Sequence, residues 1–164
     1  KMKNKEDITN YSTYASSCRN LYDVLVKLGI STDDSIIDIG SGWGFCLAIF
    51  NKFPFKKITG IEISSSEVEV CKQNLKALDI ENIELLNLDI MKFNQFNEYN
   101  YFYFYNPFSS EIFDCIISKI KKGCTIIYKN VHENEKSILL SYNFQLENVI
   151  KGQDRDYFIF KKYI

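Results

Sequence analysis

Apolar side chains recur three and four positions apart at Tyr14, Cys18, Leu21, Tyr22, Leu25, Val26 and Leu28, and the run closes at Gly29. That spacing predicts a helix over residues 11–29 with a C-terminal glycine. The period then changes. Residues 35–39 (SIIDI) form a short apolar run that stops at a cluster of glycines, and residues 44–52 (GFCLAIFNK) continue as a helix halted by Phe53-Pro54. Residues 57–63 read as a second strand, 65–78 as a helix opened by serines with Glu67 in its first turn, and 83–89 as a third strand. A continuous run at 101–105 (YFYFY), an amphipathic helix at 109–121 and a strand at 124–129 follow, after which the chain reads as turns. In the tail, residues 144–150 and 156–163 flank the turn-like KGQDR with no room for a helix, so they should pair as an antiparallel hairpin. Alternating strands and helices imply an α/β fold: a doubly wound, mostly parallel sheet of seven strands with helices on both faces.

With 164 residues, 46% of them hydrophobic, the chain is expected to form one domain over 1–164, its first 30 residues an N-terminal helical arm and 31–164 the core. Charge changes the picture by exclusion. Twenty basic residues against 21 acidic ones, with no block of like sign, leave no electrostatic footprint for nucleic acid. No apolar segment approaches the roughly 18 residues that a bilayer span needs, and the N-terminus is polar. A cytoplasmic protein without a membrane anchor is expected. Five cysteines in odd number, with no CxxC pair, argue against a disulfide framework and a zinc site, and no metal is expected. Lys1 precedes Met2, which fits either an added residue or a piece of a longer protein.

The glycine cluster is the candidate chemistry. In open α/β sheets a ligand sits beyond the carboxyl ends of the strands, at the first strand-to-helix turn. A phosphate-binding loop requires a Lys-Ser/Thr pair after its glycines, whereas Phe45-Cys46-Leu47 stand there. The dinucleotide fingerprint requires a third glycine where Phe45 lies, since Gly40, Gly42 and Gly44 give GxGxG. A ligand with an adenosine moiety and no pyrophosphate remains.

The stretch IIDIGSGWG resembles the first motif of class I S-adenosylmethionine-dependent methyltransferases, a Rossmann-like family: an apolar strand, an acid two residues before the glycines, then GxGxG. Other positions of that family follow in order from Tyr11 to Tyr163. The resemblance implies S-adenosylmethionine as cofactor, with contacts at Asp38, Gly40, Ser41, Gly42, Gly44, Glu62, Ile63, Asp89 and Ile90. Within that set it implies that Asp38 holds the cofactor's ammonium, Glu62 the ribose hydroxyls and Asp89 the adenine amine. Tyr105-Asn106-Pro107-Phe108 is similar to the (Asp/Asn)-Pro-Pro-(aromatic) motif of amino-methylating members, with one proline missing. It implies a nitrogen acceptor, with Asn106 and the Pro107 carbonyl orienting it and Tyr105 and Phe108 beside it.

Some residues have plainer readings. Tyr101 and Tyr103 on one face of their strand, and Phe102 and Phe104 on the other, are most simply core. Trp43 is expected to cover the methionine part of the cofactor or to pack on the next helix. Tyr11 and Tyr14 either close over the cofactor or merely pack. His132 reads as a surface-loop residue, and it and Tyr128 become bases of interest only for an oxygen or carbon acceptor. The expected substrate is a small molecule or a protein side chain handled by a monomer or homodimer, because neither a basic surface nor an added recognition region points to nucleic acid. Three alternatives stay open: a nucleic-acid N-methyltransferase helped by a partner, a non-catalytic module for S-adenosylmethionine or a related nucleoside, and, more remotely, a dinucleotide oxidoreductase.

Overall fold

The computed structural model describes Cys18, residues 20–105 and residues 108–164 of the chain. Seven strands form one sheet: β1 (Ser35–Ile39), β2 (Lys57–Glu62), β3 (Glu84–Asn87), β4 (Tyr101–Phe104), β5 (Thr125–Lys129), β6 (Phe144–Ile150) and β7 (Tyr157–Lys162). Their order across the sheet is β3-β2-β1-β4-β5-β7-β6. The first five are parallel, and β7 runs antiparallel to both β5 and β6. Ile36 of β1 is in register with Ile58 on one side and Tyr101 on the other. The strand order therefore reverses beside β1, and a crevice opens between the carboxyl ends of β1 and β4.

Side-chain alternation divides the core into two layers. Ile36, Ile58, Tyr103, Ile127 and Ile159 pack against α1 (Leu21–Leu28), α2 (Phe45–Phe50) and α3 (Ser65–Ala77). Ile37, Ile61, Phe102, Phe104, Ile126 and Phe160 pack on the opposite face against α4 (Ser110–Ser118) and α5 (Glu133–Ser141). The aromatic run of β4 is thus core on both faces, as alternation predicts. Phe104 meets the Phe113 ring edge-on at 5.2 Å and stacks on Tyr128 at 5.7 Å, contacts worth about 0.5–1.5 kcal/mol each beyond area burial. No helix among the described residues is long and apolar enough to cross a membrane.

Most elements begin and end where the turn chemistry directs. The Gly29 N–H, in left-handed backbone, donates to the Leu25 and Val26 carbonyls and ends α1. Ser64 caps α3 by accepting from the Glu67 N–H. Three boundaries differ from expectation. Helix α1 is seen from Leu21, and residues 11–17 and 19, with Tyr11 and Tyr14 among them, lie outside the described residues. The third strand stops at Asn87, because Asp89 turns away to accept the Met91 N–H and caps a 3-10 turn over Ile90–Lys92. Helix α5 occupies a stretch read as turns: its apolar residues cluster at Ile138–Leu140 rather than recurring, while Glu133 and Glu135 in its first turn suit a helix N-terminus.

Candidate functional site

The glycine turn continues the β1–β2 ladder and then leaves it. Gly40 and Ser41 both donate N–H groups to the Ile61 carbonyl at 2.9 Å. The Gly42 N–H donates to Glu62 Oε2 at 3.1 Å, while Glu62 Oε1 accepts the Ser64 N–H at 2.9 Å. One buried carboxylate therefore ties the glycine turn to the end of β2. Asn87 closes the next gap, donating through Nδ2 to the Glu62 and Ile63 carbonyls. Gly60 in β2 is needed for close approach: a Cβ there would lie 2.7 Å from Leu47 Cδ1 and 2.9 Å from Ser41 Oγ.

Two cavities flank this turn at the carboxyl edge of the sheet. The first, of about 450 Å³, is bounded by Asp38, Ser41, Trp43, Glu67, Tyr103 and the Cys18–Cys46 pair, with Gly40, Gly42, Phe45 and Tyr105 completing it. The second, of about 360 Å³, is bounded by Glu62, Ile63, Leu88, Asp89, Ile90 and Met91, with Phe108 and Ile112 on the far side. Gly40 and Tyr105 border both, so an extended ligand can pass from one to the other across that junction.

The charge of the linings has one sign. Asp38 and Glu67 face the first cavity, Glu62 and Asp89 the second, and among the described residues neither lining includes a lysine or arginine. Burial, then the nearby Cys18 and Glu62, pushes the Asp38 carboxyl well above its usual value. Burial likewise raises the Tyr103 phenol. Ser41 Oγ and the Tyr103 hydroxyl are buried at the first cavity without a hydrogen bond from the described residues, which leaves polar capacity for a ligand there. Cys18 and Cys46 face each other at 2.8 Å between sulfurs, and that contact followed by burial raises the Cys46 thiol. Among the described residues a triphosphate or pyrophosphate would find no cationic side chain on these walls, whereas a cationic ligand with hydroxyls and amines matches their carboxylates.

Of the residues singled out from the sequence, Asp38, Gly40, Ser41 and Gly42 border the first cavity and Glu62, Ile63, Asp89 and Ile90 the second, with Tyr105 in both and Phe108 in the second. Asn106 and Pro107 lie outside the described residues. Gly44 borders neither cavity; it opens α2 at a φ of +82° and passes against Cys71 of α3. Trp43 borders the first cavity, its ring lies 6.5 Å from that of Phe45 at the start of α2, and its carbonyl accepts from Asn74 Nδ2. His132 is exposed at the start of α5 and in neither lining. Tyr128 is also away from both, packed between Phe104 and Phe113. Glu67, Cys18 and Cys46 were missed as cavity residues; Glu67 reads in sequence only as the fourth position of a capping box.

A family described as a methyltransferase domain matches residues 30–155. An rRNA adenine N-6-methyltransferase of Limosilactobacillus reuteri is 30% identical over 91 residues, 55% of this chain and 36% of that protein. Ribosomal RNA small subunit methyltransferase A of Malacoplasma penetrans is 34% identical over 76 residues, 46% of this chain and 28% of that protein. The chain thus spans about a third of these two relatives' length, and their names weigh against setting nucleic acid aside as a partner. In fold, the chain is similar to magnesium protoporphyrin IX methyltransferase from Synechocystis PCC 6803 with bound S-adenosylmethionine, at a TM-score of 0.70 and 13% identity, covering 99% of this chain and 86% of that one.

Proposed function

The chain belongs to the methyltransferase domain family, and from that premise we propose that it transfers the methyl group of S-adenosylmethionine to a nitrogen on a small molecule or a protein side chain. The observation that carries this reading is the pair of cavities joined at Gly40 and Tyr105, whose linings among the described residues include four carboxylates and no cationic side chain. On this reading Asp89 accepts from the adenine amine beside the apolar Ile90, Leu88 and Phe108, and Glu62 accepts from the ribose hydroxyls. Asp38 holds the amino-acid ammonium, and Ser41 Oγ is at hand for the same end of the molecule.

When bound, S-adenosylmethionine supplies a sulfonium-activated methyl group together with its own leaving group. The protein's part is then mostly alignment, which can supply about 7 to 11 kcal/mol of a barrier. Tyr105 marks the junction of the cavities, next to Asn106-Pro107, whose side-chain and backbone carbonyls would accept hydrogen bonds from the incoming amine and aim its lone pair. Phe108 and Ile112 exclude water from that side.

A nucleic-acid base is the second reading, favoured by the two rRNA-methylating relatives; against it, the linings among the described residues hold no lysine or arginine to meet a nucleic-acid phosphate. The test is calorimetric titration with S-adenosylmethionine, S-adenosylhomocysteine and NADH, followed by transfer of labelled methyl to amines, basic peptides and RNA. Binding of the first two alone, with transfer lost in Asn106→Ala but binding kept, is expected. Binding of NADH in place of the methyl donor would refute the proposal, and labelling of RNA alone would move the acceptor to the second reading.

A further inference from the structure

Lys129 ends β5 fully buried, an unusual place for an ammonium. Its Nζ lies 3.0 and 3.2 Å from the two carboxylate oxygens of Asp154, 5.1 Å from the Tyr105 ring centre and 5.3 Å from that of Tyr157. Asp154 stands in the β6–β7 turn with its side chain 38% exposed, and the same turn is held to the start of α1 by the Gln153 N–H donating to Asn20 Oδ1. Tyr105 is the residue that borders both cavities. Buried ion pairs are weak sources of fold stability, since desolvation offsets most of the attraction. A lysine kept behind that particular ring invites a functional reason.

We infer that Lys129 and Asp154 form a charge-balanced clasp behind Tyr105: Lys129 is a positioning residue that holds the ring at the cavity junction, and Asp154 neutralises the ammonium so that it does not repel a cationic cofactor. The inference rests on the reading of the two cavities as the S-adenosylmethionine site. An ammonium over the face of a tyrosine ring restricts the ring through cation–π attraction. It also puts a positive charge 5.1 Å from the centre of a ring that borders both cavities, and the paired carboxylate offsets that charge. S-adenosylmethionine carries one positive charge more than S-adenosylhomocysteine, so the clasp is read in the ratio of their affinities rather than in either alone.

The experiment is calorimetric titration of both ligands into folded wild type, Asp154→Asn, Asp154→Glu, Lys129→Met and the double variant Lys129→Met/Asp154→Asn. Asp154→Asn should weaken S-adenosylmethionine relative to S-adenosylhomocysteine by roughly three- to tenfold, as an unbalanced charge near a sulfonium requires. Asp154→Glu and the double variant should return the ratio to that of wild type. Lys129→Met should not penalise S-adenosylmethionine relative to its product, yet should lower kcat as Tyr105 loses its clamp. A ratio unchanged in Asp154→Asn would overturn the clasp while leaving the cofactor reading intact. Failure of wild type to bind either ligand would overturn the cofactor reading itself, and the clasp with it.

Discussion

Gly44→Ala should destabilise the protein through two separable penalties, and a double-mutant cycle with Cys71→Ala should pull them apart. Gly44 has a φ of +82°, so an alanine there would hold left-handed backbone at about 1–2 kcal/mol. The new methyl would also run into Cys71 Sγ, a fully buried atom on α3, and overpacking of that kind costs about 1–3 kcal/mol. Reduced freedom of the unfolded chain returns about 0.4–1 kcal/mol. The net loss is about 1–4.6 kcal/mol, and each kcal/mol lowers Tm by about 2–4 °C in a domain of this size. Once Cys71→Ala removes the sulfur, the nearest remaining neighbours of the methyl are Cys71 Cβ at 3.6 Å and Leu47 Cδ1 at 3.8 Å, both ordinary contacts. Gly44→Ala in that background should keep only the backbone part, leaving a coupling of about 1–3 kcal/mol. Urea unfolding of the four proteins, fitted with a common m-value, measures it. Two substitutions that simply add, to within about 0.5 kcal/mol, would refute the claim that Gly44 is required for its packing on α3 as well as for its φ.

Two further outcomes follow from the carboxylates. Because burial, Cys18 and Glu62 raise the Asp38 carboxyl, ionising it costs stability as pH rises from its unfolded-state value through the folded one; ligand-free Asp38→Asn should therefore gain increasingly on wild type in urea melts as pH rises above about 4, while binding S-adenosylmethionine more weakly, and a stability difference independent of pH would contradict the argument. Glu62→Gln leaves one carbonyl oxygen to serve both the Gly42 and Ser64 N–H groups, so affinity should fall about 10- to 100-fold for the loss of one charge-assisted bond; calorimetry that finds unchanged affinity would show that the carboxylate holds neither turn nor ligand.

The sheet was legible because its signals are local. Gly40, Gly42 and Gly44 sit between an apolar pentad and an apolar helix, and the alternation of Tyr103 with Phe102 and Phe104 names the two core layers directly. Helix α5 was not legible, since Glu135 is buried beside Leu139 and a buried glutamate breaks the expected stripe. Within the site, Asp38, Glu62 and Asp89 came from the family resemblance, which matches acids near the ends of the first three strands. What spacing cannot show is that Glu62 reaches back 20 residues to the Gly42 N–H, or that Gly60 is small so that Ser41 and Leu47 can approach it. Lys129 reads in sequence as the polar end of a strand. The β6–β7 turn, folded over it from 25 residues away, brings a carboxylate to an ammonium that also lies against the Tyr105 and Tyr157 rings.

The clustering of acids follows from the topology itself. Parallel strands deliver their last residues to one edge, so Asp38 in β1, Glu62 at the end of β2 and Asp89 beyond β3 are brought together by the same geometry that makes the crevice. Burial first, then Cys18 and Glu62, raises the cost of ionising Asp38 there. The fold tolerates that repulsion because Glu62 is satisfied by two backbone N–H groups and because the glycine turn needs it as an acceptor. A phosphate ligand would add to the repulsion, whereas a ligand bearing an ammonium and a sulfonium relieves it. On the proposed reading the carboxylates select for charge before any single contact selects for shape, and the Lys129–Asp154 pair, neutral as a unit, leaves that selection undisturbed beside Tyr105, which borders both cavities.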